Sequence, residues 1–218
     1  MKRRLSILLL GLVTCGISAF AQGETTVPLE EMKFHKLEKL FVVGNFDGNG
    51  IDTLFQYNYS RLTRTEIDSS ASPYQNDWET VVKWFFEQDA NVYLAFNKYN
   101  KDTLHLGTAQ GLYCLINIGD INSDGKDEIA LVIDYLDFSN LNSCKIYTLC
   151  NDKWTLLKQF EINELAFEFY DGKVLDFYEI RGYLEKHNGK WFYLGVLDYI
   201  DAETDELEMK PLNFEKCR

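Results

Sequence analysis

Residues 112–133 read LYCLINIGDINSDGKDEIALVI, a polar loop set between two apolar runs. The runs at 112–118 and 129–133 are short and rich in β-branched residues, which favours strands over helices. Gly125 stands in the middle of the polar part, where the chain must turn sharply and a side chain would obstruct it. The stretch therefore predicts a strand, a tight polar loop and a second strand.

The loop offers oxygen atoms at alternate positions. Ca²⁺ takes six to eight oxygen ligands at about 2.3 to 2.6 Å, and a tight loop can supply them in this way. The carboxylates would repel one another without a cation, so we expect the empty loop to be less ordered than the filled one. An acidic, solvent-facing turn without metal is the alternative. The predicted ligands, in order, are the side chains of Asp120, Asn122 and Asp124, the carbonyl of Lys126, and Glu128.

The loop does not have the pattern of an EF-hand. That motif requires a bidentate Glu at position twelve and a helix on each side, but position twelve here is Leu131 and both flanks have strand character. We therefore expect a calcium loop between strands.

This part of the sequence resembles the FG-GAP or VCBS calcium repeat. The resemblance lies in a predicted strand, the pattern Asp-x-Asn-x-Asp-Gly-x-Asp-Glu over 120–128, and a following apolar strand. That repeat is found in the β-propellers of integrin ectodomains and of many exported bacterial proteins. Residues 45–53, NFDGNGIDT, are similar, and Asn45 precedes Asp120 by 75 positions. The resemblance implies calcium at 120–128 and a weaker second site at 45–53, since only one ligand there is charged; a purely structural turn is the alternative. Its ligands would be Asn45, Asp47, Asn49, Ile51 and Thr53.

The rest of the chain also has strand character. Short segments rich in β-branched and aromatic residues occur at 40–43, 53–57, 92–96, 145–149 and 154–160. Turn signals are Asn188-Gly189, Asn151-Asp152 and Asp171-Gly172. We expect a mainly β single domain over 22–218, either β-propeller-like or an open antiparallel β-fold. Two or three recognisable units are too few to close an ordinary propeller ring.

One segment has helical periodicity. Trp78, Val81, Val82 and Phe85 recur at i, i+3, i+4 and i+7, behind a capping residue at Asn76 or Asp77. The spacing predicts one short helix over 78–87, packed on a sheet.

The first 21 residues have the pattern of a secretory signal. Three basic residues at 2–4 precede an apolar run that ends in the small-x-small sequence Ala19-Phe20-Ala21. The run is short for a bilayer span and is interrupted by weakly polar residues. We expect cleavage near Ala21 and a periplasmic or secreted product. The less favoured alternative is lipidation at Cys15, because residues 12–15 resemble a lipobox.

The net charge of the chain limits the classes of partner that we expect it to bind. Its 34 acidic and 22 basic residues give a net charge of −12, and loss of the leader leaves 34 acidic against 19 basic residues, or −15. Nucleic acid and anionic membranes attract basic surfaces, so both are poor partners. A cation or a basic exported protein is better matched, although the acidity could serve solubility alone.

Four cysteines follow the leader: Cys114, Cys144, Cys150 and Cys217. An exported chain with an even number permits two disulfides. A strand between Cys144 and Cys150 would hold them roughly 20 Å apart, so we expect Cys114 to pair with one of them. Four reduced, buried thiols are the alternative.

No catalytic motif is present in the sequence. His35, His105 and His187 stand in unrelated contexts, and no HExxH, GxSxG, P-loop or GxGxxG pattern occurs. We therefore expect a noncatalytic binding protein. Small exported proteins that resemble this repeat include immunity proteins against lysozyme-like toxins, which implies a basic hydrolase as partner.

The competing hypothesis is a carbohydrate-active or other hydrolase with an unrecognised site. Its nearest group of acids and aromatic residues in the sequence consists of Trp191, Tyr193, Asp198 and Tyr199. Aromatic residues in a β-rich chain more often belong to the core.

Overall fold

The computed structural model describes residues 31–96, 102–168, 177–197 and 208–216. Several predicted features lie outside these ranges: the leader at 1–21, Cys15, the turn Asp171-Gly172, Asp198, Tyr199 and Cys217. The strands are β1 (Phe34–Lys36), β2 (Phe41–Gly44), β3 (Asp52–Ser60), β4 (Thr65–Glu66), β5 (Ser69–Ala71), β6 (Ala90–Phe96), β7 (Leu104–Gly107), β8 (Gly111–Gly119), β9 (Glu128–Asp134), β10 (Leu141–Cys150), β11 (Lys153–Asn163), β12 (Leu184–His187), β13 (Lys190–Tyr193) and β14 (Lys210–Pro211). The helices are α1 (Trp78–Glu87) and α2 (Leu165–Glu168).

The larger sheets are antiparallel, and most strands that are neighbours in a sheet are also neighbours in the sequence. The first sheet has the order β2-β3-β6-β7, with β4 added to β3, and the second has the order β11-β10-β9-β8. A third sheet, β12-β13-β14, and the pair β1-β5 complete the described strands. The fold is therefore mainly β, as the sequence predicts.

The sheets pack in layers around the second sheet. On β9, Ile129 and Leu131 face an apolar cluster shared with Leu54 and Leu94 of the first sheet. The alternate residue Val132 faces a second cluster, which is shared with the third sheet. Burial on both faces explains why β9 is a continuous apolar run, where a half-exposed strand would alternate.

The predicted strands are confirmed, and the structure distinguishes between the two predicted forms of the β-fold. The predicted segments lie within β3, β6, β8, β9, β10 and β11, and the segment 40–43 begins one residue before β2. Among the described residues the sheets form neither a closed barrel nor a propeller. The structure therefore agrees with the open antiparallel alternative.

The predicted helix forms over the expected residues. Asp77 is its N-cap and accepts hydrogen bonds from the amide and the hydroxyl of Thr80, at 2.9 and 2.8 Å. Val81, Trp84 and Phe85 are buried, and they pack with residues from β5 and β6. The apolar periodicity therefore identifies the face that packs on the sheet.

Two predicted hairpin turns are also present. Asn188 and Gly189 have φ of +51° and +80° between β12 and β13, while Asn151 and Asp152 have φ of +49° and +62° between β10 and β11. Positive φ at both central residues is the requirement of a type I′ turn, which Asn, Asp and Gly tolerate best.

The expected pairing of Cys114 is wrong. Cys114 on β8 and Cys144 on β10 both lie opposite Val132 of β9, so a whole strand separates them. Two strand spacings of about 4.8 Å exceed the roughly 7 Å within which a disulfide forms. Both thiols are free and fully buried, and burial raises the pKa of each. Cys150 is disulfide-bonded, which also rules out four reduced thiols, and its partner lies outside the described residues.

Candidate metal centre

The loop between β8 and β9 is closed by its first carboxylate. The Oδ1 and Oδ2 atoms of Asp120 accept hydrogen bonds from the amides of Asp124 and Gly125, each at 3.0 Å. Gly125 has φ +90° and Ser123 has φ +60°. The glycine therefore lies where the sequence places the sharp turn, and the loop folds back over Asp120.

In the middle of the loop, side-chain oxygens again accept hydrogen bonds from backbone amides, here two residues further along the chain. Oδ1 of Asn122 accepts from the amide of Asp124 at 2.9 Å, and Oδ1 of Asp124 accepts from the amide of Lys126 at 3.0 Å. The Nδ2 atom of Asn122 donates to Oδ2 of Asp124 at 3.2 Å and to Oε1 of Glu128 at 3.0 Å. The amide of Asn122 thus links two of the predicted ligand carboxylates.

Glu128 is the buried end of this network. Its side chain is fully buried at the start of β9, and it also accepts hydrogen bonds from the amide of Ile121 and the hydroxyl of Thr148, each at 2.9 Å. Burial raises the pKa of Glu128 to about 7, and the nearby charges of Asp124 and Asp120 add to the effect. The donors around Glu128 are all neutral, so its negative charge is only partly compensated.

The ammonium group of Lys126 contacts β10 and not the carboxylates of the loop. Its ammonium group donates to the carbonyl of Leu149 at 3.0 Å, while its amide donates to Asp124. Within the described chain, Asp120, Asp124 and Glu128 form no ion pair with a lysine or arginine. No basic side chain therefore competes with a cation for these carboxylates.

The side chains of the loop offer the kind of atom that a hard cation binds. Three carboxylates and one side-chain amide belong to the same hydrogen-bonded loop, and oxygen is the ligand that Ca²⁺ prefers. In the described parts of the chain, no three His, Cys, Asp or Glu side chains form a metal-holding group by themselves. The loop oxygens instead accept backbone amides. A bound ion would need the Asn122 amide oxygen turned toward the carboxylates, because its Nδ2 atom now lies between them.

The loop between β2 and β3 has a similar backbone with fewer charges. Oδ1 of Asn45 accepts from the amide of Gly50 at 2.9 Å, as Asp120 does from Gly125. Asp47 accepts from the amide of Asn49 at 2.8 Å. Ile51 is 75% exposed, and Thr53, which pairs with Val43 near the start of β3, has no carboxylate. Asp47 is the charged residue of the predicted ligand set, so this loop should attract a cation much more weakly than loop 120–128.

The two loops contact each other directly. The amide of Asn45 donates to Oδ2 of Asp127 at 2.9 Å, and the amide of Asp127 donates back to the carbonyl of Asn45 at 2.9 Å. The Nδ2 atom of Asn45 reaches the carbonyl of Gly125 at 3.0 Å. The Nδ2 atom of Asn117 donates to the same Oδ2 atom of Asp127 and to the carbonyl of Val43, each at 2.9 Å. These bonds join the first sheet to the second.

The residues of the competing hydrolase hypothesis do not form a cleft in the described chain. Trp191 is buried, and its indole Nε1 donates to the carbonyl of Ile118. Tyr193 packs on Phe160 at a ring-centroid distance of 5.1 Å. Both aromatic residues serve the packing between the second and third sheets. His187 is exposed beside Glu185 at 2.8 Å, as its position next to a turn predicts.

The sequence did not indicate a second acidic group. Asp134 at the end of β9 and Glu164 after β11 lie near the hydroxyl of Tyr113 and line a cavity of about 750 Å³. These residues are far apart in sequence, so only the register Gly111–Asp134 and the β10–β11 pairing bring them together. Thr148, Asn117 and Asp127 were missed for the same reason.

Fold and site together define an open, layered antiparallel β protein with a carboxylate-rich loop at one strand junction. No protein-family model, curated protein or solved structure matches this chain. In the described residues, neither helix is long and apolar enough to cross a membrane.

Proposed function

We propose that this chain is an exported, noncatalytic β-scaffold that binds calcium at loop 120–128 and recognises another protein. The observation that carries the calcium proposal is the buried carboxylate of Glu128, tied into one network with Asp120, Asn122 and Asp124 and without a basic partner in the described chain. A divalent cation would compensate three carboxylates at once.

The contact between the loops suggests what calcium would do. The loop at 120–128 is hydrogen-bonded through Asp127 and Gly125 to Asn45 in the first loop. An ion that orders the second loop would therefore also hold the end of the first sheet. Calcium in this proposal stiffens a scaffold and takes no part in a reaction.

Charge and surface composition support protein recognition. The acidic chain would be steered toward a basic partner, which raises the association rate. On the outer face of the first sheet, Phe41 and Val43 are about half exposed, and the rings of Phe55, Tyr57 and Tyr93 follow one another across it. Aromatic residues are enriched at protein interfaces. A lysozyme-like hydrolase, which the family resemblance implies, has the required basic charge.

Thermal melting with calcium and with chelator tests the metal site. Calcium at about 100 times its dissociation constant should stabilise the native state by about 2.7 kcal/mol. Asp124→Asn keeps an oxygen for the Lys126 amide but removes a charge, so it should abolish most of the shift in melting temperature. Asp47→Asn is the matched control in the weaker loop and should retain the shift. Equal melting of wild type in both conditions would reject the site.

Inhibition of a basic lysozyme tests the partner. We expect the leader-free protein to slow peptidoglycan cleavage, with an association rate that falls as salt is added. The same assay without lysozyme controls for hydrolytic activity of the chain itself. Cleavage by the chain alone would instead support the hydrolase hypothesis, and absence of inhibition would exclude this class of partner.

A further inference from the structure

The cavity of about 750 Å³ lies between the first strand, the start of α1 and the ends of β8 and β9. Its lining includes the acids Asp134 and Glu164 and the polar residues Gln56, Trp78 and Tyr113. Phe138 stands beside Trp78, with ring centroids 5.9 Å apart, and is 82% exposed at the rim. The cavity is thus acidic inside and aromatic at its mouth.

Two carboxyl groups that line the cavity accept hydrogen bonds from neutral donors. The hydroxyl of Tyr113 donates to Oε2 of Glu164 at 3.0 Å and lies near Asp134. Gln110 donates to Oδ1 of Asp134 at 3.2 Å, and Asn142 donates to Oε1 of Glu164 at 2.9 Å. Neither acid forms an ion pair with a described basic residue. Two neighbouring carboxylates are therefore left without a cation.

Buried polar atoms around the same cavity also lack partners within the described chain. Gln56 is 2% exposed, and its Nε2 atom donates to Asn58 at 2.8 Å, which leaves Oε1 without a donor. The Nδ1 atom of His35 and the Nε1 atom of Trp78 are likewise unsatisfied. Buried polar groups are rarely left unpaired, so the Gln56 oxygen requires a hydrogen-bond donor that the described chain does not supply, whereas the Trp78 N–H requires an acceptor.

The chemistry of the lining favours a cationic ligand. Four carboxyl groups, those of Glu38, Asp134, Asp137 and Glu164, line the cavity against one ammonium group, that of Lys36. Carboxylates and the Gln56 oxygen accept hydrogen bonds, and a guanidinium has five donors and no acceptor. The aromatic rim suits the apolar stem and the planar head of the same side chain.

We propose that this cavity receives an arginine side chain of the protein partner, with its guanidinium held by Asp134, Glu164 and Gln56. This inference rests on the proposed protein recognition and is independent of calcium binding. The arginine would neutralise the two carboxylates and supply donors to the Gln56 oxygen. A cation in the cavity would also compensate two acids that form no ion pair with a described basic residue.

The proposal has a pH signature. Burial, and then the charge of Glu164, raises the pKa of Asp134 to about 7, while hydrogen bonds from Tyr113 and Gln110 oppose the shift. His35, Lys36 and Glu38 also line the cavity, and the charge of Asp137 acts on Asp134 in the same direction as that of Glu164. A guanidinium binds the ionised pair and displaces a proton. Affinity should therefore rise as pH increases from 6 to 8, by up to about tenfold per unit below the pKa.

The test uses the leader-free protein and a blocked Gly-Gly-Arg-Gly-Gly peptide, with the citrulline peptide as its neutral match. Binding is followed through the indole N–H resonance of Trp78. We expect the arginine peptide to bind at least about tenfold more tightly than the citrulline peptide, and Asp134→Asn or Glu164→Gln to remove that preference. Glu79→Gln is the charge-matched control, because Glu79 is exposed on α1 outside the cavity.

Each outcome decides the inference. Equal binding of the two peptides, or loss of preference in Glu79→Gln as well, overturns it. Stronger binding of a chito-oligosaccharide than of the arginine peptide overturns it in favour of a glycan site. If a cavity variant does not fold, the pH dependence of wild-type binding decides. Lysozyme inhibition that survives Glu164→Gln would overturn the cavity assignment and leave the proposed function standing, whereas peptide binding without inhibition would do the reverse.

Discussion

Burial perturbs carboxyl groups in two places of the described chain, and the two sites differ in the neighbours that they offer. Glu128 is surrounded by a loop that can bend its own oxygens toward an ion. Asp134 lies beside a second acid at an open cavity, where an external cation can approach. The same physical cause, burial of a charge without a basic partner, therefore supports a metal site in one place and a side-chain site in the other.

The raised pKa of Asp134 predicts how stability depends on pH. A carboxyl group that holds its proton more tightly in the folded state lowers the free energy of unfolding as pH rises from about 4 to about 7. Asp134→Asn should flatten that decline, measured by urea unfolding across this range in chelator. Glu128 contributes in the same direction, so the difference between wild type and variant isolates Asp134. An unchanged slope would mean that Asp134 is ionised in the fold.

Gly44 is predicted to tolerate no side chain. A Cβ there would collide with Nδ2 of Asn117, and it would also lie 2.6 Å from Oδ2 of Asp127 and 2.8 Å from Cζ of Phe46, which is fully buried. Gly44→Ala should lower the free energy of unfolding by about 1 to 3 kcal/mol, because the crowded groups must shift. The cost should shrink in an Asp127→Ala background, where one of the three close contacts is gone. Equal costs in both backgrounds would place the strain at Asn117 and Phe46.

At the scale of elements, local signals were sufficient for most of the structure. The helix over 78–87 follows from apolar spacing and a cap, and the two turns with Asn and Gly or Asp follow from the φ values that these residues tolerate. The strands were found from composition, although their ends shifted by a few residues. Each of these features depends on residues that are neighbours in sequence.

Features that depend on register could not be predicted. The pairing of Cys114 was wrong because both Cys114 and Cys144 lie opposite Val132, and sequence alone does not give the order of strands. The hydrogen bonds that join Asp120, Asn122 and Asp124 in the loop between β8 and β9 are local, so the sequence could predict that these side chains close one loop. The contact between Asn45 and Asp127, 82 positions apart, was not, nor was the meeting of Asp134 with Glu164.

The N-cap of α1 gives a prediction at this scale. Asp77 accepts two hydrogen bonds from Thr80, which also lower the pKa of Asp77. Asp77→Ala should lower the free energy of unfolding by about 1 kcal/mol, whereas Asp77→Ser should retain most of the stability, since serine is also a good cap. Chemical denaturation of the three proteins measures the difference. An equal loss for both variants would show that the charge, and not the cap, stabilises the helix.

At the scale of the molecule, the two large sheets are joined both by an apolar core and by a polar seam at their loops. The core cluster holds Leu54 and Leu94 against Leu131, and it does not depend on any ion. The seam at Asn45 and Asp127 lies next to the candidate metal loop. Calcium should therefore change the mobility of the loop end of the molecule more than its overall fold.

Hydrogen exchange can separate these contributions. In wild type, calcium should slow exchange of backbone amides in loop 120–128 and also in loop 45–50, because the Asn45–Asp127 pair transmits the ordering. Asp127→Ala removes the bond from the Asn45 amide to the carboxylate but keeps the bonds at the Asn45 carbonyl and Nδ2 atom, so the effect should remain in the second loop and weaken in the first. The hairpin at Asn188, in the third sheet, is the internal control and should not respond. Undiminished protection of the first loop in Asp127→Ala would show that the Asp127 carboxylate does not transmit the ordering, and protection of neither loop in wild type would reject an effect of calcium on this scaffold.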